Sequence, residues 1–570
     1  MEPMTDYAAL DAPIDQLIWR HIADSQCPEG FRNYLRHSPE GAAHINEAIE
    51  RLIELDDADA TCAADEIRYP VAVAMLEAQA QAGDAVAQFH MGKICDRGIG
   101  VEANRERALA WYRLAILQNE PRSQINLALR LDENGTPESI TEAKRLFEVA
   151  SVLGEGTGTF NLARFISRGR GEPEGHSDPV RAFELFHEAW AQGCASAGHW
   201  IGYMLQRGDG VREDARLGRE WMERSAQAKC VGAILSLGRD AEFGKGTECD
   251  IPAAVNWYRL GAECGDLDCQ QRLGNLLLRG EGIAKDGAQA VHWLKRAAVL
   301  GYAASQRTLG LAYLWGVDVI RNERFGRKWL VRAAEQGDAH AAYHLGKILQ
   351  QGDTPELESA AGWFEKAAKT GHSEAQGMLG ICYWNGRGVL ADVHTAFKWI
   401  RLAALQGDPW GLYLLGRLHY NGVDVPVDYA QAVKWFRQSA ERGHPGGQSK
   451  LGWCYLQGEG VDRDVAEGML WLSRAAEQGD ADASTTIGYV LRDGIGVEHN
   501  ASEASKWFLD AAQKGDARGQ YELARLYAEG EGLAQNLTEA RKWMEKSAAQ
   551  GDGDARKWLD IHLQCELSLA

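Results

Sequence analysis

His340 and His344 stand four residues apart in the run His340-Ala-Ala-Tyr-His344. On a helix that spacing turns both imidazoles to one face, where two nitrogens can hold a transition metal. The glutamate that a zinc protease carries between them is missing, and spacing supplies no third ligand, although His372 and Glu374 follow further along. The pair reads as surface histidines, and neither a metal nor a cofactor is expected. Gly208-Asp-Gly210, Gly280-Glu-Gly282, Gly458-Glu-Gly460 and Gly530-Glu-Gly532 invite a phosphate-loop reading. That chemistry needs a preceding strand and a Lys-Ser/Thr pair at the start of a helix. These segments lie between helical patterns and hold an acid at their centre, so they read as turns. Eleven cysteines, at 27, 62, 95, 194, 230, 249, 264, 269, 382, 454 and 565, form no Cys-x-x-Cys pair. They read as buried reduced thiols, which pack as small hydrophobes.

The elements that position these residues are repeats. Glycine returns at Gly265, Gly301 and Gly337, shifts once to Gly371, then resumes at Gly407, Gly443, Gly479, Gly515 and Gly551. Trp257, Trp293, Trp329, Trp363, Trp399, Trp435, Trp471, Trp507 and Trp543 keep the same beat. Counting backwards adds Gly193, Gly154 and Gly83, with Lys229 and Asn119 in the glycine's place behind Trp221 and Trp111. A fixed period of this length means stacked supersecondary units, each burying its apolar face against its neighbours.

One unit shows the design. Ala375, Leu379 and Tyr383 form one stripe of a first helix, and Gly380 beside it permits close approach of a second. Gly386-Arg387-Gly388-Val389 breaks that helix, Ala396, Trp399, Ile400, Ala403 and Ala404 form the inner face of the next, and Gly407 ends it. The expectation is an all-α solenoid of about thirteen 36-residue helical hairpins over residues 66–555. Residues 1–65, with apolar patterning at Ile14, Leu17, Ile18, Ile22, Ile45, Ile49, Leu52 and Ile53, are expected to form an N-terminal helical cap or a docking segment. Residues 556–570 are expected to form a C-terminal capping helix, because the ends of a solenoid need a cover.

The Leu-Gly, Tyr, Gly-x-Gly-Val, Asp, Ala, Trp-Tyr/Phe, Ala-Ala and Gly-Asp pattern from Leu273 to Asp552 resembles the Sel1-like repeat family, with weaker units from about Ala72. The resemblance implies a right-handed superhelix related to tetratricopeptide repeats, used mainly as an adaptor or scaffold. Some cysteine-rich relatives are linked to penicillin binding or β-lactamase activity. That chemistry commonly uses Ser-x-x-Lys, which occurs nowhere here, and the relatives' paired cysteines are missing too. No catalytic residue is assigned.

In related solenoids the first helices line the concave surface. Their positions six and two before the Leu-Gly glycine, and one, four and five after it, fall on one stripe. Trp315, His340, His344, Lys347, Trp384, Asn385, Trp410, Arg417, Tyr420, Trp453, Tyr489 and Arg525 occupy it. These tryptophans are off the repeating beat, so stacking does not by itself require them, and aromatic and Arg side chains are favoured at interfaces. The expected partner is a protein or peptide with aromatic or acidic character. A dedicated inhibitor or immunity-type protein for one enzyme is the alternative.

Composition narrows the classes further. With 61 Lys and Arg against 81 Asp and Glu, the net charge of −20 has the wrong sign for a phosphate backbone, so nucleic acid is not an expected partner. No apolar run approaches the ~18 residues of a membrane span, and Met1–Ala9 show no secretory signal, so a cytoplasmic setting is expected.

Overall fold

Stacked helical hairpins make up the computed structural model, and no strand occurs among the described residues. Those residues are 70–98, 101–170, 176–246, 248–351 and 355–569, with Trp19, Phe31, His44, residues 47–49 and residues 51–52 from the N-terminal stretch. The chain divides into two compact units, Met1–Ala333 and Ala334–Ala570. The N-terminal expectations at Ile14, Leu17, Ile18, Ile22, Ile45 and Ile53 lie outside the described residues.

Each hairpin is punctuated by caps that the sequence spells out. Asp408 ends the preceding turn, and its carboxylate accepts from the Gly411 amide at 2.6 Å to start the helix Pro409–Asn421. Gly422, at φ 69°, closes that helix with its amide on Leu418 O. Asp428 then caps the helix Tyr429–Glu441 through the Gln431 amide. At the beat itself the backbone is left-handed, which glycine adopts freely; Asn119 and Lys229, standing in its place, take the same conformation at φ 62° and 61°.

The Leu-Gly glycine is the crossing point of most hairpins, with Ala128, Ala163 and Ala524 in its place in three. An added Cβ at Gly416 would lie 2.6 Å from the Phe436 ring, at Gly346 2.5 Å from Phe364, and at Gly488 2.6 Å from Phe508. Phe364, Phe436 and Phe508 are fully buried there, filling the space that the missing side chains vacate. The beat tryptophans lie further out. All but Trp329 are half-buried, and in several hairpins a Lys or Arg three residues on covers the ring, as at Lys366 on Trp363 (3.9 Å) and Arg474 on Trp471 (4.7 Å).

Neighbouring hairpins are joined by a polar tie. Gln376 Nε2 donates to Ala368 O of the preceding second helix at 3.2 Å, and Gln406 Nε2 donates to Gln376 Oε1 at 2.7 Å. The same arrangement recurs at Gln448 with Gln478 and at Gln520 with Gln550. Each tie satisfies a buried carbonyl that would otherwise be costly. Beyond sequential neighbours, the strongest helix contacts join first helices of adjoining hairpins, as between Pro409–Asn421 and Pro445–Gln457. First helices therefore form the closer-set row within each unit.

The cysteine reading needs one correction: Cys95, Cys194, Cys230, Cys269, Cys382 and Cys454 are buried and unpaired, but Cys249 is exposed and Cys264 half-buried. Cys249 lies in the polar connection before the helix Ile251–Glu263, outside any apolar stripe, where nothing buries it. Cys27 and Cys62 are outside the described residues. At the C-terminus the helix Gly553–Leu569 packs on Leu537–Ala549.

Two substitutions test the crossing. Gly416→Ala should destabilise the second unit by about 1–3 kcal/mol through overpacking against Phe436. Gly362→Ala, where an added Cβ meets nothing within 4 Å, should be neutral or stabilise by up to about 1 kcal/mol. Lys229→Gly should stabilise by about 1 kcal/mol by relieving the left-handed lysine. Urea unfolding with local amide exchange would measure all three, because long repeat arrays do not unfold in one step.

Candidate functional site

Ten of the twelve stripe residues, from His340 to Tyr489, lie on five successive first helices of the second unit: Ala339–Gln351, Ser373–Asn385, Pro409–Asn421, Pro445–Gln457 and Ala481–Asp493. Arg525 follows on Ala517–Glu529. Trp315 is set apart. It ends the helix Ala303–Trp315 of the first unit and is 63% exposed.

The histidines meet across hairpins. His372 replaces the usual Asp at the N-cap of Ser373–Asn385, and its Nδ1 accepts from the Ala375 amide at 3.3 Å. Nε2 must then carry the ring proton, and it lies 2.9 Å from His340 Nδ1. Tyr343 stacks on His372 at 5.0 Å, and Lys347 Nζ lies 5.6 Å above the Tyr343 ring. His344 turns toward Tyr343, with ring centroids 5.5 Å apart. Among the described residues no group of three or more His, Cys, Asp or Glu side chains is arranged to hold a metal.

The next two hairpins repeat that arrangement with larger groups. Arg417 lies over Trp384 at 5.3 Å and over Tyr413 at 5.7 Å, and Tyr413 stacks on His444, which caps its helix by accepting from the Gly447 amide. Among the described residues neither Lys347 nor Arg417 has a carboxylate partner. Trp453 and Asn385 are exposed beside them. Trp410 is drawn into packing: its ring approaches the Cβ position of Gly377 to 3.0 Å on the preceding first helix, and it joins the cluster around Leu412 and Leu415. Tyr420 is likewise engaged, its hydroxyl donating to Glu459 of the following turn at 2.6 Å.

Further along, the stripe residues serve an internal charge network. Glu522 is buried and receives Arg492 at 2.6 Å, the Tyr489 hydroxyl at 2.8 Å and Arg525 at 3.4 Å; Arg518 Nε donates to Tyr489 at 2.8 Å. Burial above all pushes the Tyr343 and Tyr489 phenols up to about 12, so both remain neutral hydrogen-bonding groups. Arg525 is thus committed to Glu522 and Glu529, unlike Lys347 and Arg417.

Sequence reasoning missed Tyr343, Tyr413, His444 and Glu522 as members of these clusters; it placed His372 near the His340/His344 pair only as a possible metal ligand. A signal existed for the caps: Gly371-His372 and Gly443-His444 break the Gly-Asp pattern. Tyr343 and Tyr413 stand three before the hairpin glycine, a position outside the stripe as drawn.

Burial, followed by the charge of His340, holds the His372 imidazole below its ordinary value of 6.5, and burial does the same to His444. Protonating either Nδ1 would also abolish a helix cap. The stability these groups contribute is present above the unfolded value and is lost as pH falls through the lower folded values. Asn at both positions keeps a cap acceptor and removes the titration. Between about pH 7.5 and pH 5 the thermal midpoint of the parent chain should therefore fall further than that of His372→Asn/His444→Asn, followed by circular dichroism.

Comparison with known proteins follows from this architecture. The chain is similar to a protective antigen of uropathogenic Escherichia coli strains displaying an SLR fold, with a TM-score of 0.55, 25% identity, and coverage of 85% of this chain and 97% of that one. It is also similar to a Sel1 repeat protein from Oxalobacter formigenes (TM-score 0.36, 28% identity, 63% and 92% covered). A third similar structure is an immunity protein from Pseudomonas aeruginosa (TM-score 0.30, 20% identity, 37% and 80% covered). No curated protein matches the sequence. The Sel1 repeat model matches thirteen consecutive segments between residues 85 and 552, from 85–120 to 517–552, and the chain belongs to the Sel1 repeat family.

Proposed function

We propose that the chain is a non-catalytic adaptor whose second unit holds a protein partner along the first-helix face from His340 to Trp453. Sel1 repeat proteins generally mediate protein–protein interactions, and their solenoid fold is typically non-catalytic. The observation that carries the reading is the pair of cations, Lys347 and Arg417, laid over aromatic rings with no carboxylate on either among the described residues. On a chain of net charge −20 such cations attract acidic groups, while the rings beneath them offer apolar contact.

The partner this chemistry selects is an extended peptide or an amphipathic helix carrying acidic and aromatic side chains. Trp384 and Trp453 would supply contact area at low entropic cost, and Asn385, His340 and His344 polar contacts around them. Trp410, Tyr420, Tyr489 and Arg525 shape the face from within rather than meeting the partner, since their polar or apolar surface is largely engaged in the fold. Trp315 would make a separate contact on the first unit.

Alanine at Lys347, Arg417, Trp384 and Trp453 together should weaken capture of the partner from source lysate by at least about tenfold, since hot-spot truncations cost more than ~1 kcal/mol each. Circular dichroism should stay unchanged. Undiminished capture by a folded variant sinks the proposal. A one-to-one complex with a single enzyme that thereby loses activity would place the chain among inhibitors instead.

A further inference from the structure

Val299 and Trp329 depart from every equivalent position in the array. Val299 follows the Ala-Ala pair near the end of a second helix, a place that is exposed in the other hairpins: Glu335, Lys369, Glu441, Glu477 and Gln513 stand there, as do Leu405 at 64% and Val152 at 87% exposure. Val299 is 3% exposed. Trp329 is on the tryptophan beat, whose other described members, from Trp111 to Trp543, are half-buried; it is 2% exposed. What covers both is the chain's own N-terminal stretch. Trp19, Phe31, Ala48, Ile49 and Leu52 form one apolar cluster with Ala298, Val299, Leu309 and Trp329, edged by Val291, Leu300 and Tyr313.

The covering segment has the character of a ligand. Residues 47–49 and 51–52 are helical, with Ala48, Ile49 and Leu52 buried and Glu47 exposed, so the turn is amphipathic. Trp19 is braced by His44, stacked at 4.6 Å, and meets Phe31 edge-on at 6.2 Å. Aromatic and aliphatic anchors of this kind dominate helix-in-groove recognition. The array supplies its own end cover elsewhere: the helix Pro70–Gln81 packs on Ala85–Arg97, the first helix of the matched repeats. The N-terminal anchors therefore do not serve the first hairpin; they reach hairpins far along the sequence whose surface is apolar at the one place where the others are charged or bare.

We infer that Val299 and Trp329 mark a second binding site, on the second helices of the first unit, whose ligand class is a short amphipathic helix with aromatic and aliphatic anchors. The N-terminal segment of this chain is its resident occupant, held in cis and exchangeable. This site is independent of the first-helix face proposed above, and failure of either leaves the other intact.

Val299→Glu in the full chain is the direct test, because Glu is the residue of this place at Glu335, Glu441 and Glu477 and the hairpin tolerates it. Amide exchange at residues 47–49 and 51–52 should accelerate at least about tenfold, the change a weakened docking contact produces, while exchange over residues 355–552 stays as it was. Leu405→Glu, at the equivalent exposed place, should change neither. The second arm uses Trp19→Ser/Phe31→Ser/Ile49→Glu/Leu52→Glu, which empties the site from the ligand side. A fluorescein-labelled peptide of residues 10–56 should bind that variant, bind the parent chain at least about tenfold more weakly, and lose binding to the variant when Val299→Glu is added. Unchanged exchange in Val299→Glu, absence of peptide binding, or binding indifferent to Val299→Glu overturns the inference. So does a dimer of the parent chain that dissociates on Val299→Glu, which would assign the occupant to a second copy.

Discussion

The contact between a glycine on most first helices and a side chain of the partner helix, usually a ring or a branched chain, is the constraint from which the architecture follows; Ala128, Ala163 and Ala524 take the glycine's place in three hairpins. At Gly346, Gly416 and Gly488 a phenylalanine presses into the space a Cβ would need; at Gly380 Ile400 does so, and at Gly274 Leu294. Such close crossings fix the distance between the two helices and thus which residues can face inward. Ala, Leu and Ile fill what remains, and the Ala-Ala pairs let the following hairpin approach. The glutamine ties then join successive hairpins, the amide of Gln376 reaching the carbonyl of Ala368 on the preceding second helix.

Because that geometry is shared, hairpins differ mainly where it leaves side chains free. The protein uses the same pairing, cation above ring, in two ways. On several second helices a Lys or Arg covers the beat tryptophan three residues before it, an arrangement internal to one helix. On first helices Arg417 reaches back to Trp384 of the preceding hairpin, so the pair bridges repeats and presents a mixed cationic and aromatic surface along the row. The late hairpins divert those residue types inward instead, where Arg492, Arg518 and Arg525 surround the buried Glu522. Identical positions on the stripe thereby carry different duties.

The fold was legible because its signals are periodic. Gly-Asp gives both the left-handed helix stop and the next N-cap, and Lys229 and Asn119 could be placed on the beat because Trp221 and Trp111 precede them. The stripe was legible only as a face. Whether a side chain on it is spent or free depends on a partner about one repeat away, as Tyr420 on Glu459 and Tyr489 on Glu522 show. No helical period encodes such pairs. The glutamine ties went unread for a related reason: each polar residue looked like solvent-facing filler until the buried carbonyl it satisfies was located. Cys249 was misread because a cysteine's usual burial was applied to a polar connection that leaves it exposed.

The proposal that a partner seats on the first-helix row from His340 to Trp453 is tested most directly by amide exchange of the full chain with and without its bound partner. Slowed exchange concentrated in Ala339–Gln351, Ser373–Asn385, Pro409–Asn421 and Pro445–Gln457, with the second helices bearing Trp363, Trp399 and Trp435 unaffected, is the predicted result. Slowing confined to those second helices or to the Gly-x-Gly turns would contradict it.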